Sequence, residues 1–325
     1  MCSALNTNIP EIPPVVEPPN NNCKVKRIIF CRHAETAPNA SFQLQGSGID
    51  ENLNAKGVNQ AEALARRLAM QEDIEVIITS NLRRAIQTSE IIAEAYPKPL
   101  NIIKEPELRE ISWGVWEGMV CPDLQSLIDI WQSGDFTARA PGGETPLDVK
   151  QRVLPVIYSL LERPEKTILV VVHGRLLRIL LSSILYGNLY HMQSFNHKNT
   201  CVNVVDVYYE SVKSKTSPTA LANLSNIITY EPKSEPLYPL VKNISGGGII
   251  ISPIPVTTTK KTNYQENCES SFRMKSKKNL SSETKVNFND LETPIFDVDL
   301  FGGVCKVKFM PIMLDSVEHL TADLY

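Results

Sequence analysis

Two histidines in this 325-residue chain stand where buried β-strands are expected to end. His33 follows the apolar segment 25–31 and is preceded by Arg32, and His173 follows Thr167–Val172, the most hydrophobic of the predicted strands. Ligands of open α/β sheets bind at the carboxyl ends of the strands, where Arg and His are suited to an anion. A solvated basic loop explains Arg32 and His33 taken alone, but two such histidines in one sheet favour a shared anion site.

Two predicted helices that directly follow strands provide further groups that could bind an anion. Arg83 and Arg84 fall in the first turn of a predicted helix, where the helix dipole disfavours cations unless an anion is bound nearby. For Arg83, a plain surface position remains an alternative. The helix that begins after His173 offers free N–H groups, which commonly bind phosphate.

A Gly- and Trp-rich loop at 107–118 carries three carboxylates, Glu107, Glu110 and Glu117. Its two Gly and two Trp residues indicate a fixed, non-helical turn. A carboxyl group held in such a turn can act as a general acid or base, although any of the three can equally be merely solvated.

Hydrophobic periodicity predicts the elements that must position these residues. Segments spaced as strands alternate with segments spaced as helices, which is typical of a mainly parallel sheet with helices on both faces, an α/β/α sandwich. The predicted strands are 25–31, 74–79, 167–172 and 201–209, and the predicted helices are 55–71, 82–96, 122–133, 145–162 and 176–185.

Composition excludes several classes of protein. The formal net charge of −3 argues against a globally basic nucleic-acid binder, and no apolar run is long enough to span a membrane. Seven cysteines without a Cys-x-x-Cys pair argue against a disulfide framework or a zinc module. The N-terminus has no secretory pattern, so a cytoplasmic or nuclear location is expected.

Taken together, the motifs resemble those of the histidine phosphatase, or phosphoglycerate mutase-like, superfamily. The resemblance covers residues 25–209 and follows the family's order. The matching segments include RHAETAPN, SNLRRAIQT, LREISWGVWEG, PGGETPLDVKQRV and VVVHGRLLRILL. The resemblance implies the phosphoglycerate mutase-like three-layer fold.

The resemblance also implies roles for individual residues. His33 is the expected nucleophile, and Glu110 is the expected general acid and base, with Glu107 and Glu117 as fallback candidates. Arg32, Arg84, His173 and Asn39 are expected to hold the phosphoryl oxygens. No metal or other cofactor is expected.

Two positions depart from the family pattern. Ala34 replaces the common Gly after the nucleophile, and Arg175 replaces the second Gly after His173. Arg175 either binds a second anionic group of the substrate or points to water, and the sequence leaves both open.

The expected activity is hydrolysis of small phosphomonoesters through a phosphohistidine. Only 62 residues separate Glu110 from His173, whereas the family's mutases carry a long substrate-enclosing insertion there. The alternatives are a phosphoglycerate-type mutase and a catalytically inactive interaction module.

Composition and the resemblance together predict the domain organisation. Residues 1–23, rich in Pro, are expected to form a disordered arm. Residues 24–210 plus 301–321 are expected to form the phosphatase domain, since 313–320 resembles the family's closing segment. Residues 211–300, rich in Ser and Thr, are expected to be a largely disordered insertion. The arm and the insertion are candidate surfaces for a protein partner.

Overall fold

A mixed seven-stranded sheet organises the chain in the computed structural model, which describes residues 9–18, 21–120, 123–211, 240–244, 248–252, 293–300, 303–321 and 324–325. In chain order its strands are β1 (Cys23–Arg32), β2 (Val76–Ser80), β3 (Asn101–Glu105), β4 (Thr167–Val172), β5 (Val202–Ser211), β8 (Ile295–Leu300) and β9 (Gly303–Ser316). Their spatial order is β3-β2-β4-β1-β5-β9-β8. The strands β6 (Leu240–Ile244) and β7 (Gly248–Ser252) pair separately.

The predicted α/β class is confirmed, with parallel strands at the centre of a mixed sheet. Strands β3, β2, β4 and β1 pair in parallel, whereas β1–β5, β5–β9 and β9–β8 are antiparallel. The sheet is therefore less uniformly parallel than the helix–strand alternation suggested. The antiparallel half is built from the C-terminal strands β5, β8 and β9.

Helices pack on both faces of this sheet. They are α1 (Ala37–Ala40), α2 (Ala55–Gln71), α3 (Arg83–Glu94), α4 (Leu124–Gln132), α5 (Pro146–Ser159) and α6 (Gly174–Tyr186). Successive side chains of β1 alternate between the layers: Phe30 joins the cluster that includes helix α6, and Ile29 joins the cluster that includes helix α2. No helix of the described residues is long and apolar enough to cross a membrane.

The start of helix α2 is fixed by a side-chain cap and by a close approach between its backbone and that of Glu35. The side chain of Asn54 caps the helix by accepting from Gly57 N at 2.7 Å. A Cβ atom on Gly57 would lie 2.0 Å from the carbonyl oxygen of Glu35, so only glycine allows this approach. The helix therefore holds the chain just after His33.

Part of the predicted disordered arm is packed on the domain. Ile12 is buried among apolar side chains beside helix α2, and Pro10 O accepts a 3.3 Å hydrogen bond from Arg67. Tyr208 donates to Val16 O at 3.0 Å. The prolines prevent a helix, but they do not prevent extended chain from docking on an apolar groove. Residues 1–8 and 19–20 lie outside the described residues.

Residues 295–300, which the sequence assigns to the insertion, form strand β8 of the main sheet. Val298 and Leu300 face the core while Asp297 is exposed, which is the two-residue alternation of an edge strand. Strand β3, also an edge strand, was likewise not predicted. Most of the remaining 211–300 segment lies outside the described residues, apart from Ser211 and the β6–β7 hairpin.

A buried ion triad joins β1, β5 and the end of α2. Arg27, opposite Asp206 in the antiparallel register, donates to both of its carboxylate oxygens at 2.8 and 2.9 Å. Arg27 also donates to Glu72 at 2.6 Å. All three side chains are more than nine-tenths buried, so each charge depends on its partners.

We expect Asp206→Ala to lower the free energy of unfolding by about 3–5 kcal/mol. The substitution removes one of the two carboxylates that pair with the buried guanidinium of Arg27. Urea unfolding with an unchanged m-value would measure this loss. The matched control is Asp73→Ala, which removes the exposed pair with Lys98 and should cost no more than about 1 kcal/mol. Equal losses for the two variants would contradict a structural role of the triad.

Candidate active site

The two predicted histidines meet because of the register between β1 and β4. Arg32 lies opposite Val172 in this parallel pair, and His33 N donates to Val172 O at 2.9 Å. The ring centroids of His33 and His173 are consequently 5.1 Å apart, at an interplanar angle of 57°. Both rings therefore lie at the same end of the sheet, close enough for one bound anion to contact both.

Hydrogen bonding defines the protonation of His33. Its Nδ1 lies 2.7 Å from the carbonyl oxygen of Ala34, which can only accept, so Nδ1 carries the proton and Nε2 carries the lone pair. Burial, together with the positive charges of Arg84 and Arg32, lowers the pKa of His33 well below its ordinary value. His33 is therefore a neutral imidazole with a free lone pair on Nε2.

His173 is neutral as well, and both of its nitrogens are engaged. Arg84 Nε donates to its Nδ1 at 3.3 Å, so the proton is on Nε2, which lies 2.8 Å from Ser80 Oγ. Burial first, and then Arg84, lower the pKa of His173 well below its ordinary value.

Arg84 is fully buried against the pocket, away from solvent. Its guanidinium donates to Ile49 O at 2.7 Å and Gly46 O at 2.8 Å, in addition to His173. Burial lowers its pKa to about 10. Arg84 therefore lies beside His173, and its other two donors bind backbone carbonyl groups of the loop at 46–49.

Arg32 has donor capacity to spare. Its Nη1 donates to His197 O at 2.9 Å, and its buried Nε has no hydrogen-bond partner among the described residues. Asn39 lies in the same region, since its Oδ1 accepts from Asn199 Nδ2 at 3.3 Å, and Asn199 also donates to His33 O at 3.0 Å. The Asn39 Oδ1 closes the capping box of α1 with Thr36, which leaves its NH₂ as the group for an anion.

Glu110 reaches the pocket by capping helix α6. Its Oε2 accepts from Arg175 N at 3.0 Å, and its Oε1 accepts from Leu176 N at 2.8 Å and Ile111 N at 2.9 Å. The expectation that free N–H groups of this helix bind phosphate is therefore wrong for Arg175 and Leu176. A carboxylate already occupies that favourable end of the dipole.

The two fallback carboxylates have other surroundings. Glu107 is exposed and pairs with Arg109 at 3.2 Å, outside the pocket. Glu117 accepts from Trp113 N at 3.1 Å, and the positive-φ turn at Gly46 packs tightly against its carboxylate. Of the three carboxylates, Glu110 is the one bonded to the helix that follows His173.

Arg175 is half-buried and held in place, so the alternative in which it simply points to water does not describe it. Its guanidinium lies over Trp131 at 5.4 Å and Trp113 at 5.8 Å, and it donates to Gln193 at 3.2 Å. Burial and the neighbouring Arg178 lower its pKa to about 9. That Arg175 also binds a second anionic group of the substrate stays a prediction from the sequence.

The pocket contains four arginines that have no ion-pair partner at contact distance in the described part of the chain. Among the described residues, none of Arg32, Arg84, Arg175 and Arg178 has a carboxylate oxygen within 4.0 Å, the distance of an ion pair. All four are buried or half-buried, where an unpaired cation is costly. This arrangement is suited to a ligand that carries negative charge.

A pair of residues that sequence reasoning missed fixes the loop of Glu110. Arg152 on α5 forms a bidentate ion pair with Glu144 at 2.9 and 3.0 Å and donates to Glu110 O at 3.2 Å. Glu144 Oε2 also accepts from Ser112 N at 3.0 Å. The only sequence signal was their place in the segment PGGETPLDVKQRV, since neither residue's partner can be deduced from local spacing.

The known proteins that are similar to this chain identify its family. A family model described as "Histidine phosphatase superfamily (branch 1)" matches residues 28–217, more than half of the chain. The probable phosphoglycerate mutase GpmB of Proteus mirabilis is 34% identical over 185 residues, which are 55% of this chain and 84% of that protein. The glucosyl-3-phosphoglycerate phosphatase of Mycolicibacterium vanbaalenii is 30% identical over 175 residues, 50% of this chain and 75% of that protein.

Solved structures are similar to more than half of the chain. Bacillus stearothermophilus YhfR has 30% identity and a TM-score of 0.50, covering 59% of this chain and 98% of its own. A mycobacterial glucosyl-3-phosphoglycerate phosphatase solved with VO3 has 25% identity and a TM-score of 0.50, covering 56% of this chain and 93% of its own.

We expect Glu144→Ala to lower the free energy of unfolding by about 1–3 kcal/mol, because it leaves Arg152 and the Ser112 N–H without their acceptor. Amide hydrogen exchange at Ile111 and Ser112 should become faster in the folded protein. The control Glu107→Ala removes only an exposed ion pair of the same loop and should change neither quantity appreciably. Unchanged exchange in Glu144→Ala would show that another contact holds the loop.

Proposed function

Because the chain belongs to the histidine phosphatase superfamily, we propose that it is a phosphatase that hydrolyses small phosphomonoesters through a phosphohistidine, without a metal in the reaction. The observation that carries the proposal is the neutral His33, whose Nε2 lone pair lies in a buried, positively charged pocket beside His173. A neutral imidazole attacks phosphorus directly, so no separate base is needed to activate it.

Arg32 and Arg84 hold the phosphoryl group in this proposal. Phosphoryl transfer depends mainly on positioning and on stabilising negative charge, which planar guanidinium groups do well. The unpartnered Nε of Arg32 is available without breaking any bond, and the NH₂ of Asn39 adds a further donor. Arg84 and His173 would exchange part of their present bonds for bonds to phosphoryl oxygens.

Glu110 acts as general acid on the leaving oxygen and then as general base on water. Three backbone N–H groups donate to its carboxyl group and fix the orientation of this group. Its bonds to Arg175 N and Leu176 N also keep it at the helix end next to His173. Water then attacks the phosphohistidine, releasing phosphate and restoring His33.

A mutase is the second candidate, and the relatives named as probable phosphoglycerate mutases favour it. In a mutase the phosphoryl group of His33 passes to a hydroxyl of the bound substrate instead of to water. The 62-residue connection between Glu110 and His173 supports the phosphatase, because a short connection leaves the phosphoenzyme open to water. An inactive module is disfavoured, since the residue types proposed for catalysis, Arg32, His33, Arg84, Glu110 and His173, are all present in the chain.

The finer assignments stay predictions. We propose small phosphorylated metabolites as substrates, with Arg175 as a contact for a second anionic group. A protein partner would use the 211–300 segment or the N-terminal arm, and nucleic acid is not expected as a partner. A cytoplasmic or nuclear location remains an expectation from the sequence.

We expect His33→Ala to reduce hydrolysis of para-nitrophenyl phosphate and of a sugar-phosphate panel to background, because no other group can form the covalent intermediate. Rapid quenching of the wild-type protein, followed by peptide mass analysis, should find one phosphoryl group on His33. His191→Gln is the control, since His191 packs on Tyr186 outside the pocket and its replacement should leave activity intact.

Several outcomes would contradict this assignment. Activity that survives His33→Ala would reject the nucleophile, and a folded wild-type protein inactive on every ester would favour the interaction module. Isomerised phosphoglycerate formed faster than free phosphate would establish the mutase instead.

We expect the acid limb of kcat/KM to lie below pH 6.5. An ordinary imidazole is increasingly protonated below that pH, but burial and two guanidinium groups lower the pKa of His33, so it stays neutral as the pH falls through 6.5. Arg84→Gln removes one of these charges and should move the limb to higher pH. A wild-type limb centred at or above pH 6.5 would contradict a lowered pKa of His33.

A further inference from the structure

Three potential metal ligands converge near the end of β1, apart from the two catalytic histidines. His197 belongs to the loop before β5, Cys201 immediately precedes β5, and Asp315 lies near the end of β9. One ligand atom from each of these residues lies within 4.8 Å of the other two. His197 and Cys201 are buried, with 2% and 0% of their surfaces exposed, and Asp315 is half-buried.

Several of these ligand atoms lack any other partner. Both ring nitrogens of His197 and the Oδ1 of Asp315 are buried, and none has a hydrogen-bond partner among the described residues. Leaving such a group unpaired costs about 1–3 kcal/mol, and native structures rarely leave several in one place. A ligand common to the three residues would satisfy them together.

Neighbouring bonds hold the cluster in shape. Asn203 Nδ2 donates to Cys201 Sγ at 3.6 Å, and its Oδ1 accepts from Asp315 N at 2.8 Å, so one amide braces two of the three residues. Asn196 N donates to Asp315 Oδ2 at 3.2 Å, which leaves Oδ1 for the cluster. Outer bonds of this kind orient ligands in established metal sites.

We propose that His197, Cys201 and Asp315 form a binding site for a divalent, zinc-type cation. An imidazole, a thiolate and a carboxylate suit Zn²⁺, whereas Mg²⁺ and Ca²⁺ prefer oxygen ligands alone. Bonds of about 2.0–2.3 Å in a tetrahedron would bring the ligand atoms roughly 3.3–3.8 Å apart. The ligand atoms, which lie within 4.8 Å of one another, therefore need to close by at most about 1–1.5 Å, and water completes the fourth position.

Charge balance is compatible with the nearby arginines. A dication bound by one thiolate and one carboxylate has no net charge, so it adds no net repulsion to Arg32 and Arg178. A lone dication without the Cys201 thiolate would keep a positive charge beside them. The thiolate is for this reason the ligand on which binding should depend most.

The site is structural and meets the proposed phosphatase at Arg32, whose backbone N also donates to Cys201 O at 3.4 Å. His197 O accepts from Arg32 Nη1 at 2.9 Å, so a metal on the His197 ring would fix the carbonyl that orients Arg32. No step at His33 passes through the metal. The proposal therefore goes beyond the proposed function and stands or falls independently of it.

The test is a Co²⁺ titration of the purified, metal-stripped full-length protein, followed by absorption spectroscopy. We expect one equivalent to bind, with the near-ultraviolet charge-transfer band of a cobalt–thiolate bond and visible bands of tetrahedral cobalt. Zn²⁺ should displace the cobalt and abolish the bands. Cys201→Ser should remove the charge-transfer band and weaken affinity by more than the roughly 10–100-fold that the loss of an outer partner costs.

Cys305→Ser is the matched control, because Cys305 is a buried thiol on the same strand as Asp315, ten residues and roughly 33 Å of extended strand away. It should bind cobalt as the wild type does. His197→Gln provides a second ligand variant should Cys201→Ser fail to fold, and circular dichroism checks the fold of each. Absence of the thiolate band in the wild type, or its persistence in Cys201→Ser, would overturn the proposal.

Discussion

The parallel register between β1 and β4 is the constraint on which the site depends. Each strand has a run of apolar residues buried on both faces and is followed directly by a histidine, and the pairing of Arg32 with Val172 brings the two rings to 5.1 Å. A shift of one residue would turn the apolar side chains of a strand to the opposite face, so burial on both sides enforces the register. The same packing that stabilises the sheet thus sets the geometry of the proposed chemistry.

Electrostatics then gives the pocket its character. Arg32 and Arg84 are buried without a carboxylate partner, and their charge helps to keep both imidazoles neutral. Glu110 does not neutralise them at contact distance, because its oxygens are bonded to backbone N–H groups of α6 and to Ile111 N. The pocket is left with positive charge and a neutral nucleophile, a combination that favours an incoming phosphoryl group.

Local sequence signals predicted much of the framework. Helix α2 and strand β4 occupy the predicted spans, because an amphipathic period and a short apolar run are strong signals. The edge strands β3 and β8 were not predicted from the sequence. Strand β3 has only two apolar residues and follows a Pro-rich segment, and β8 mixes apolar with acidic residues next to Ser/Thr-rich chain. Ile12 was assigned to a disordered arm because its burial depends on a groove formed by distant residues.

The sequence by itself determined the class of fold and the residue types of the site, because strand ends, helix starts and family motifs are local properties of the chain. Only the tertiary structure decided how those side chains are bonded: Arg84 on carbonyls at 46–49, Glu110 on the end of α6, and Arg175 over two Trp rings. It also brought His197, Cys201 and Asp315 together. Contacts between residues tens of positions apart depend on the packing of whole layers, which no local pattern encodes.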